Sequence, residues 1–186
     1  NETSTTTSRN TTIISWDPND SNKFALFYYD NAPVTGDSRP TLVIGSLSGT
    51  TLTFGSQIEV DTGTTVGGMS GHGWMAFHPT IANLIMCAWS SSGKPLALRA
   101  GSVSGTTVSW GTIKDEDWSG LGGSIMYDPA SIAAMGGIKM CFDWCKDTDV
   151  DRRFMLIISM FEGNFEEEVC AISGSCSSDS GGTISL

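Results

Sequence analysis

Leu47-Ser-Gly-Thr-Thr-Leu-Thr-Phe-Gly-Ser56 returns at an offset of 56 residues as Val103-Ser-Gly-Thr-Thr-Val-Ser-Trp-Gly-Thr112, ten consecutive positions with only conservative changes. A period of this length marks a repeat architecture. Upstream of each copy lies an apolar run that closes in an aromatic-X-Pro triplet, then a second and a third apolar run. The triplets are Trp16-Asp-Pro18, Phe77-His-Pro79 and Tyr127-Asp-Pro129. Proline after a short polar residue ends a strand and pre-sets φ for a turn, so three triplets predict three repeats.

These markers place strands at 11–16, 23–30, 40–47 and 51–60 in the first repeat and at 73–77, 83–90, 95–103 and 106–113 in the second. In the third, strands are expected at 123–127, 138–146, 153–161 and 165–172. The runs Phe24-Ala-Leu-Phe-Tyr-Tyr29, Leu84-Ile-Met-Cys-Ala-Trp89 and Phe154-Met-Leu-Ile-Ile158 are almost continuously apolar, as strands covered on both faces are. The fourth strand alternates. Leu52, Phe54, Ile58 and Val60 fall on one side and Thr51, Thr53, Gln57 and Glu59 on the other, the pattern of an outer strand with one wet face.

A four-stranded antiparallel meander repeated at this spacing reads as a β-propeller-like blade, in an all-β fold. The expected layout is a Thr/Ser-rich arm at 1–10, three blade-like repeats at 11–61, 72–115 and 122–172, and a Ser/Gly-rich tail or exchanged strand at 173–186. Closed propellers need about 4–8 blades, and three are supplied. Other chains would complete the ring, or the repeats would stack as an open array, or the chain is a piece of something longer.

Composition agrees with strands and narrows the partners. The 186 residues (19.7 kDa) carry 22 Gly but 6 Pro, are 39% hydrophobic, and have a net charge of −10 with a pI near 4.4. Phosphate backbones and anionic lipid surfaces attract a positive stripe, so nucleic acid and membrane are poor partners. The longest apolar run, at 154–161, is interrupted by Ser159 and falls well short of the roughly 18 residues a bilayer span needs. The first ten residues lack the charged and apolar regions of a secretory leader.

Trp16-Asp-Pro-Asn19 and the elements at 47–56 and 103–112 resemble repeats of phage tail-fibre and bacterial surface proteins, in which aromatic-Asp-Pro-Asn turns precede Val-Ser-Gly-Thr-Ser-like hairpins. The resemblance extends over residues 11–172. It implies an extracellular structural or adhesive protein and carries no catalytic residues.

Chemistry-bearing segments each meet a plainer account. Asp179-Ser-Gly-Gly182 resembles the nucleophile segment of trypsin-like proteases, yet the chain's two histidines are His72, in a Gly-rich stretch, and His78, in a strand-closing turn; a flexible tail explains it. The Gly-rich stretch 67–73 lacks the Lys and the following helix of a phosphate loop. Asp147, Asp149 and Asp151 could open a calcium loop, but the Gly at the sixth position and the Glu at the twelfth are absent, and an acidic hairpin between Cys145 and Arg153 accounts for them. The runs 115–117 and 166–168 read as charged edges that block stray strand pairing. Asp17, Asp128 and Asp143 are strand-end carboxylates of the kind a glycosidase would need, and turn chemistry suffices for Asp-Pro. No cofactor or metal set is expected.

Among the aromatics, Trp74, Trp118 and Tyr127 are candidates for stacking on sugars between repeats. Trp89 and Trp144 follow similar Met-Cys sequences and so are expected at equivalent core positions. Cys87 and Cys141 are expected as small buried residues for the same reason. Disulfide candidates are Cys170 with Cys176, or either of these with Cys145, the fifth cysteine leaving an odd thiol. Asn1, Asn10 and Asn19 each head an Asn-X-Ser/Thr acceptor, suggesting a glycosylated surface segment in an exported protein.

The resulting expectation is a non-enzymatic extracellular structural subunit that assembles with copies of itself through its β-repeats and terminal segments. The alternative is a carbohydrate-binding adhesin or phage-fibre lectin module recognising surface glycans.

Overall fold

The computed structural model describes residues 12–30, 37–62, 66–67, 73–91, 94–116, 138–145, 152–161, 167–177 and 182–186. These residues are all-β, with no helix among them, and form three antiparallel sheets. Sheet 1 runs in the order β1 (Ile13–Trp16), β2 (Lys23–Asp30), β3 (Asp37–Ser48), β4 (Thr51–Phe54), with β5 (Ile58–Glu59) and β6 (Val66–Gly67) also paired to β3. Sheet 2 runs β7 (Gly73–Phe77), β8 (Leu84–Ser91), β9 (Lys94–Ser104), β10 (Thr107–Trp110), and β11 (Lys114–Glu116) pairs with β9. Sheet 3 runs β12 (Ile138–Trp144), β13 (Arg153–Phe161), β14 (Glu167–Cys176), β15 (Ile184–Ser185). No closed propeller is formed by them.

The repeated decapeptide is a hairpin, and its glycine explains why it recurs. Ser48 pairs with Thr51 and Ser104 with Thr107, so the loops are the dipeptides Gly49-Thr50 and Gly105-Thr106. Gly49 has φ +60° and Gly105 φ +59°, while the following threonines keep negative φ. Positive φ at the first central residue alone defines a type II′ turn, whose twist suits the flanking strands.

The second half of the decapeptide holds a bulge. Phe54 pairs with Gly45 and Ile58 with Leu42, so Gly55, Ser56 and Gln57 oppose only Val43 and Ile44. Trp110 with Gly101 and Lys114 with Leu98 reproduce this in sheet 2, and the Gly55 and Gly111 amides each donate across at 2.9 Å, to the Ile44 and Ala100 carbonyls. An extra residue reverses the facing of everything beyond it. Leu52 and Phe54 therefore lie on one face, 54% and 52% exposed, while Ile58 and Val60 turn to the other, Val60 being fully buried. This corrects the simple alternation expected across 51–60.

Register also re-frames the third sheet. The first-to-second-strand turns begin at Trp16 opposite Phe24, Phe77 opposite Ile85 and Trp144 opposite Phe154. Each is closed by one amide of the next residue, Asp17 to the Lys23 carbonyl, His78 to Leu84 and Cys145 to Arg153, at 3.0, 2.8 and 2.9 Å. A glycine on the third strand faces each of those second-strand residues: Gly45, Gly101 and Gly174. Among the described residues of sheet 3, the segment expected as a second strand thus stands first, 153–161 second and β14 third. The fourth strand is β15, drawn from the expected tail, with Ile184 paired to Cys176 and the Ser177 amide donating to the Thr183 carbonyl at 2.9 Å. The difference has a physical source: nine residues separate Trp144 from Phe154 where seven separate the counterparts, and none of the nine is proline. Segment 123–127, with Tyr127-Asp-Pro129, and the arm 1–10 lie outside the described residues.

The sheets pack face to face through two cores. Between sheets 1 and 2 lie Ala25, Phe27, Tyr29, Leu42, Ile44 and Val60 against Met75, Phe77, Ile85, Cys87, Trp89 and Val103. Between sheets 2 and 3 lie Leu84, Met86, Ala88, Leu96, Leu98 and Ala100 against Phe142, Trp144, Phe154, Leu156, Ile158 and Ile172. β8 is buried on both sides, Leu84 through Ser90 without a break, as its continuous apolar run requires. In β13 the alternate residues Met155 and Ile157 remain 49% and 40% exposed, against the expectation that both faces of this strand are covered.

Candidate functional site

Sheets 1 and 3 each turn an apolar face outward, and the outer face of sheet 1 is the more developed. One row across it is Trp16, Phe24, Gly45 and Phe54. The Trp16 and Phe24 ring centroids are 5.3 Å apart at 56°, and Phe24 meets Phe54 edge-on at 5.6 Å and 85°, within the range of favourable aromatic pairs. Gly45 makes this possible: a Cβ there would stand 2.3 Å from Phe24 Cζ, so the ring lies over bare backbone and is buried while Trp16 and Phe54 stay about half exposed. Ile14 (61% exposed) and Leu52 flank the row.

Polar pairs edge this face. Gln57 Nε2 donates to Tyr28 Oη at 2.6 Å, and Arg39 Nη1 meets Glu59 Oε2 at 2.8 Å. An apolar centre with a polar margin is the anatomy of a recognition surface. The outer face of sheet 3 carries Met155 and Ile157 with exposed Cys141, Asp143, Ala171 and Ser173.

Charge is gathered instead at the turns joining first and second strands. Asp17 is 2% exposed; its Oδ1 accepts the Asn19 amide at 2.9 Å and its Oδ2 lies 3.7 Å from Lys23 Nζ. Lys23 also reaches Asp20 Oδ2 at 3.3 Å and donates to Asn83 Oδ1 in sheet 2 at 2.7 Å. The Asn22 amide holds the Asp20 carboxyl below the ordinary carboxylate range against desolvation, with further help from Lys23. At the matching position in sheet 2, buried His78 accepts the Ile81 amide at 2.9 Å and the Thr80 amide at 3.2 Å through Nδ1, which places its proton on Nε2. Asp17 and His78 thus perform one structural task, capping a turn.

Other expected site residues are dispersed. Trp74 is partly buried, packed against the core between sheets 2 and 3. Trp118, Tyr127, Asp147, Asp149, Asp151, Asn1, Asn10, His72 and residues 178–181 lie outside the described residues. Asn19 is exposed at its turn, but its Nδ2 donates to the His78 carbonyl at 3.0 Å, tying sheet 1 to sheet 2. Among the described residues no group of three His, Cys, Asp or Glu could hold a metal ion. No described helix is long and apolar enough to cross a membrane.

Cys87 is buried as expected, whereas the expectations for the other described cysteines are not met. Cys141 is exposed, because its strand takes the first place in its sheet rather than the second, and it is not equivalent to fully buried Cys87. For the same reason Trp144 matches Phe77 and Trp16, not Trp89. Neither Cys145 nor Cys176 is in a disulfide. Cys170 and Cys176 lie six residues apart on β14, about 20 Å of extended chain, where a disulfide spans at most about 7 Å between Cα atoms. Cys145 and Cys176 flank β13 from opposite sides, about two strand spacings apart. Cys170 pairs with Ile158, five residues along β13 from the Arg153 that Cys145 faces, so that pairing fails too.

No family model, no curated protein and no solved structure matches this chain. Alternation across 51–60 does not reveal the outer face of sheet 1, because the bulge at 55–57 changes the facing; the signal in the sequence is Gly55, directly after Leu52 and Phe54.

Proposed function

We propose that this protein is a non-enzymatic structural subunit of an extracellular assembly, joined to copies of itself through the faces of its β-repeats. The observation that carries this reading is the outer face of sheet 1, where Ile14, Trp16, Leu52 and Phe54 are each about half exposed or more. Contiguous apolar surface of this kind marks an interaction site. The groups that chemistry would call on are engaged in structure: Asp17 and His78 cap turns, and Lys23 bridges sheets.

Sedimentation velocity across a concentration series tests the reading. Self-association that strengthens with concentration is expected, and a single monomeric species throughout would refute it. Carbohydrate binding is the second reading, favoured by Trp16 and Phe54 standing half-exposed in one row, since sugars stack on such rings. A glycan array separates the two: defined sugar hits abolished by Trp16→Ala support a lectin.

A further inference from the structure

The two open faces are the unmatched halves of an interface the chain already makes twice. Aligning the sheets by register sets Trp16, Phe77 and Trp144 at one position and Phe24, Ile85 and Phe154 at the next. On this alignment the outward residues of sheet 1, namely Ile14, Trp16, Phe24 and Leu26, occupy the places of Met75, Phe77, Ile85 and Cys87 in sheet 2. Those four are buried against sheet 1. Their counterparts in sheet 3, Phe142, Trp144, Phe154 and Leu156, are buried against sheet 2. This face therefore meets a preceding sheet wherever one is present.

The opposite face behaves reciprocally. Ala25, Phe27, Leu42 and Ile44 of sheet 1 press on sheet 2, and Met86, Ala88, Leu98 and Ala100 of sheet 2 press on sheet 3. The equivalents in sheet 3 are Met155, Ile157, Ala171 and Ser173, and all four are exposed. Sheet 1 lacks the surface that sheet 3 leaves uncovered.

Resting on the self-assembly reading, we propose that the outer face of sheet 1 docks on the outer face of sheet 3 of a second copy of this chain, head to tail. The partner is specified by continuity with the internal interfaces rather than by hydrophobicity alone. Contacts of this heterologous kind either close into a ring or extend without limit; two copies would supply six sheets, within the range of about 4–8 for closed propellers. One polar contact follows from the same alignment. Trp144 Nε1 donates to the Ala76 carbonyl of sheet 2 at 3.4 Å, and the matching pair across the docked faces is Trp16 Nε1 with the Asp143 carbonyl of the second copy.

Ile14→Lys blocks the first face and Ile157→Lys the second; both side chains are at least 40% exposed, so each variant is expected to fold. Sedimentation of the wild type, each variant, and an equimolar mixture of the two variants reads the geometry. Each variant alone should be monomeric, and the mixture should recover a one-to-one dimer, since each retains the face the other lacks. Recovery on mixing also shows both variants to be folded. If Ile14→Lys abolishes association while Ile157→Lys leaves it intact, the contact is face-to-itself, which overturns head-to-tail docking but keeps self-assembly. Association insensitive to both substitutions also overturns the docking. A wild type that stays monomeric overturns both proposals.

Discussion

The contact between Gly73 and Phe27 offers a sharp test of how sheets 1 and 2 are fitted together. Gly73 opens β7, and a Cβ built on it would lie 2.3 Å from Phe27 Cε1 and 2.8 Å from Cζ. Carbon atoms rest at about 3.5–4.0 Å, so Gly73→Ala forces the ring back by more than about 1 Å. Phe27 is fully buried and sits edge-on against Tyr29 at 5.8 Å, leaving the ring no space to retreat. Overpacking of this kind costs about 1–3 kcal/mol. Phe27→Ala removes the ring and leaves a cavity, at about 3–5 kcal/mol. Independent effects would sum to about 4–8 kcal/mol in the double variant.

The geometry instead predicts that the alanine at 73 fits into the space the ring vacates. The double variant should lose no more than the single Phe27→Ala, giving a coupling of about 1–3 kcal/mol. A second contact, 3.1 Å to the Ala88 carbonyl, belongs to the partner strand and persists in both backgrounds. Urea unfolding of the four proteins at a common m-value measures the cycle. Strict additivity, to within about 0.5 kcal/mol, would refute the claim that Phe27 seats on Gly73.

Arg99 clamps the bulged strands of both sheets, donating from Nη1 to the Val60 carbonyl at 2.6 Å and from Nε to the Gly111 carbonyl at 2.9 Å. Arg99→Met should cost about 2–3 kcal/mol in chemical denaturation, and Arg99→Lys should recover little because it lacks the fork; full recovery by Lys would show that charge alone matters. Burial pushes the Cys87 thiol well above its usual range, with only slight relief from Arg99, so at pH 8 the native protein should react with a thiol reagent at exposed Cys141 and not at Cys87 until unfolded, as peptide mass mapping would show. Early labelling of Cys87 would contradict the core. His78→Asp, which installs the capping residue found at position 17, should retain most of the stability that His78→Ala loses, about 1 kcal/mol or more; equal losses would mean that Nδ1 does not cap the turn.

Local chemistry read well from the sequence wherever a rule has a single physical answer. Strands were expected on either side of each Ser-Gly-Thr-Thr segment, and both copies fold as hairpins there. The continuous apolar run 84–89 required burial on both faces, and β8 has it. Frame was harder to read, since it depends on turn length. The nine residues between Trp144 and Phe154, where the other turns have seven, hid the start of sheet 3. Ile184, carried in a Ser/Gly-rich segment, became a strand because the preceding repeats left a place for it opposite Cys176. The outer-face aromatics were visible as residues, but their facing depended on one extra residue in a strand, which periodicity alone does not register.

Sheet 2 has a further consequence for how the chain comes together. Having no wet face of its own, it gains most of its burial from its neighbours, so its cohesion is a nearest-neighbour property, as in other stacked-repeat proteins. Opening must then begin at the outer sheets and move inward, with β8 the last to exchange its amide hydrogens. Any copy that settles on sheet 1 from outside would slow that erosion from its vulnerable end.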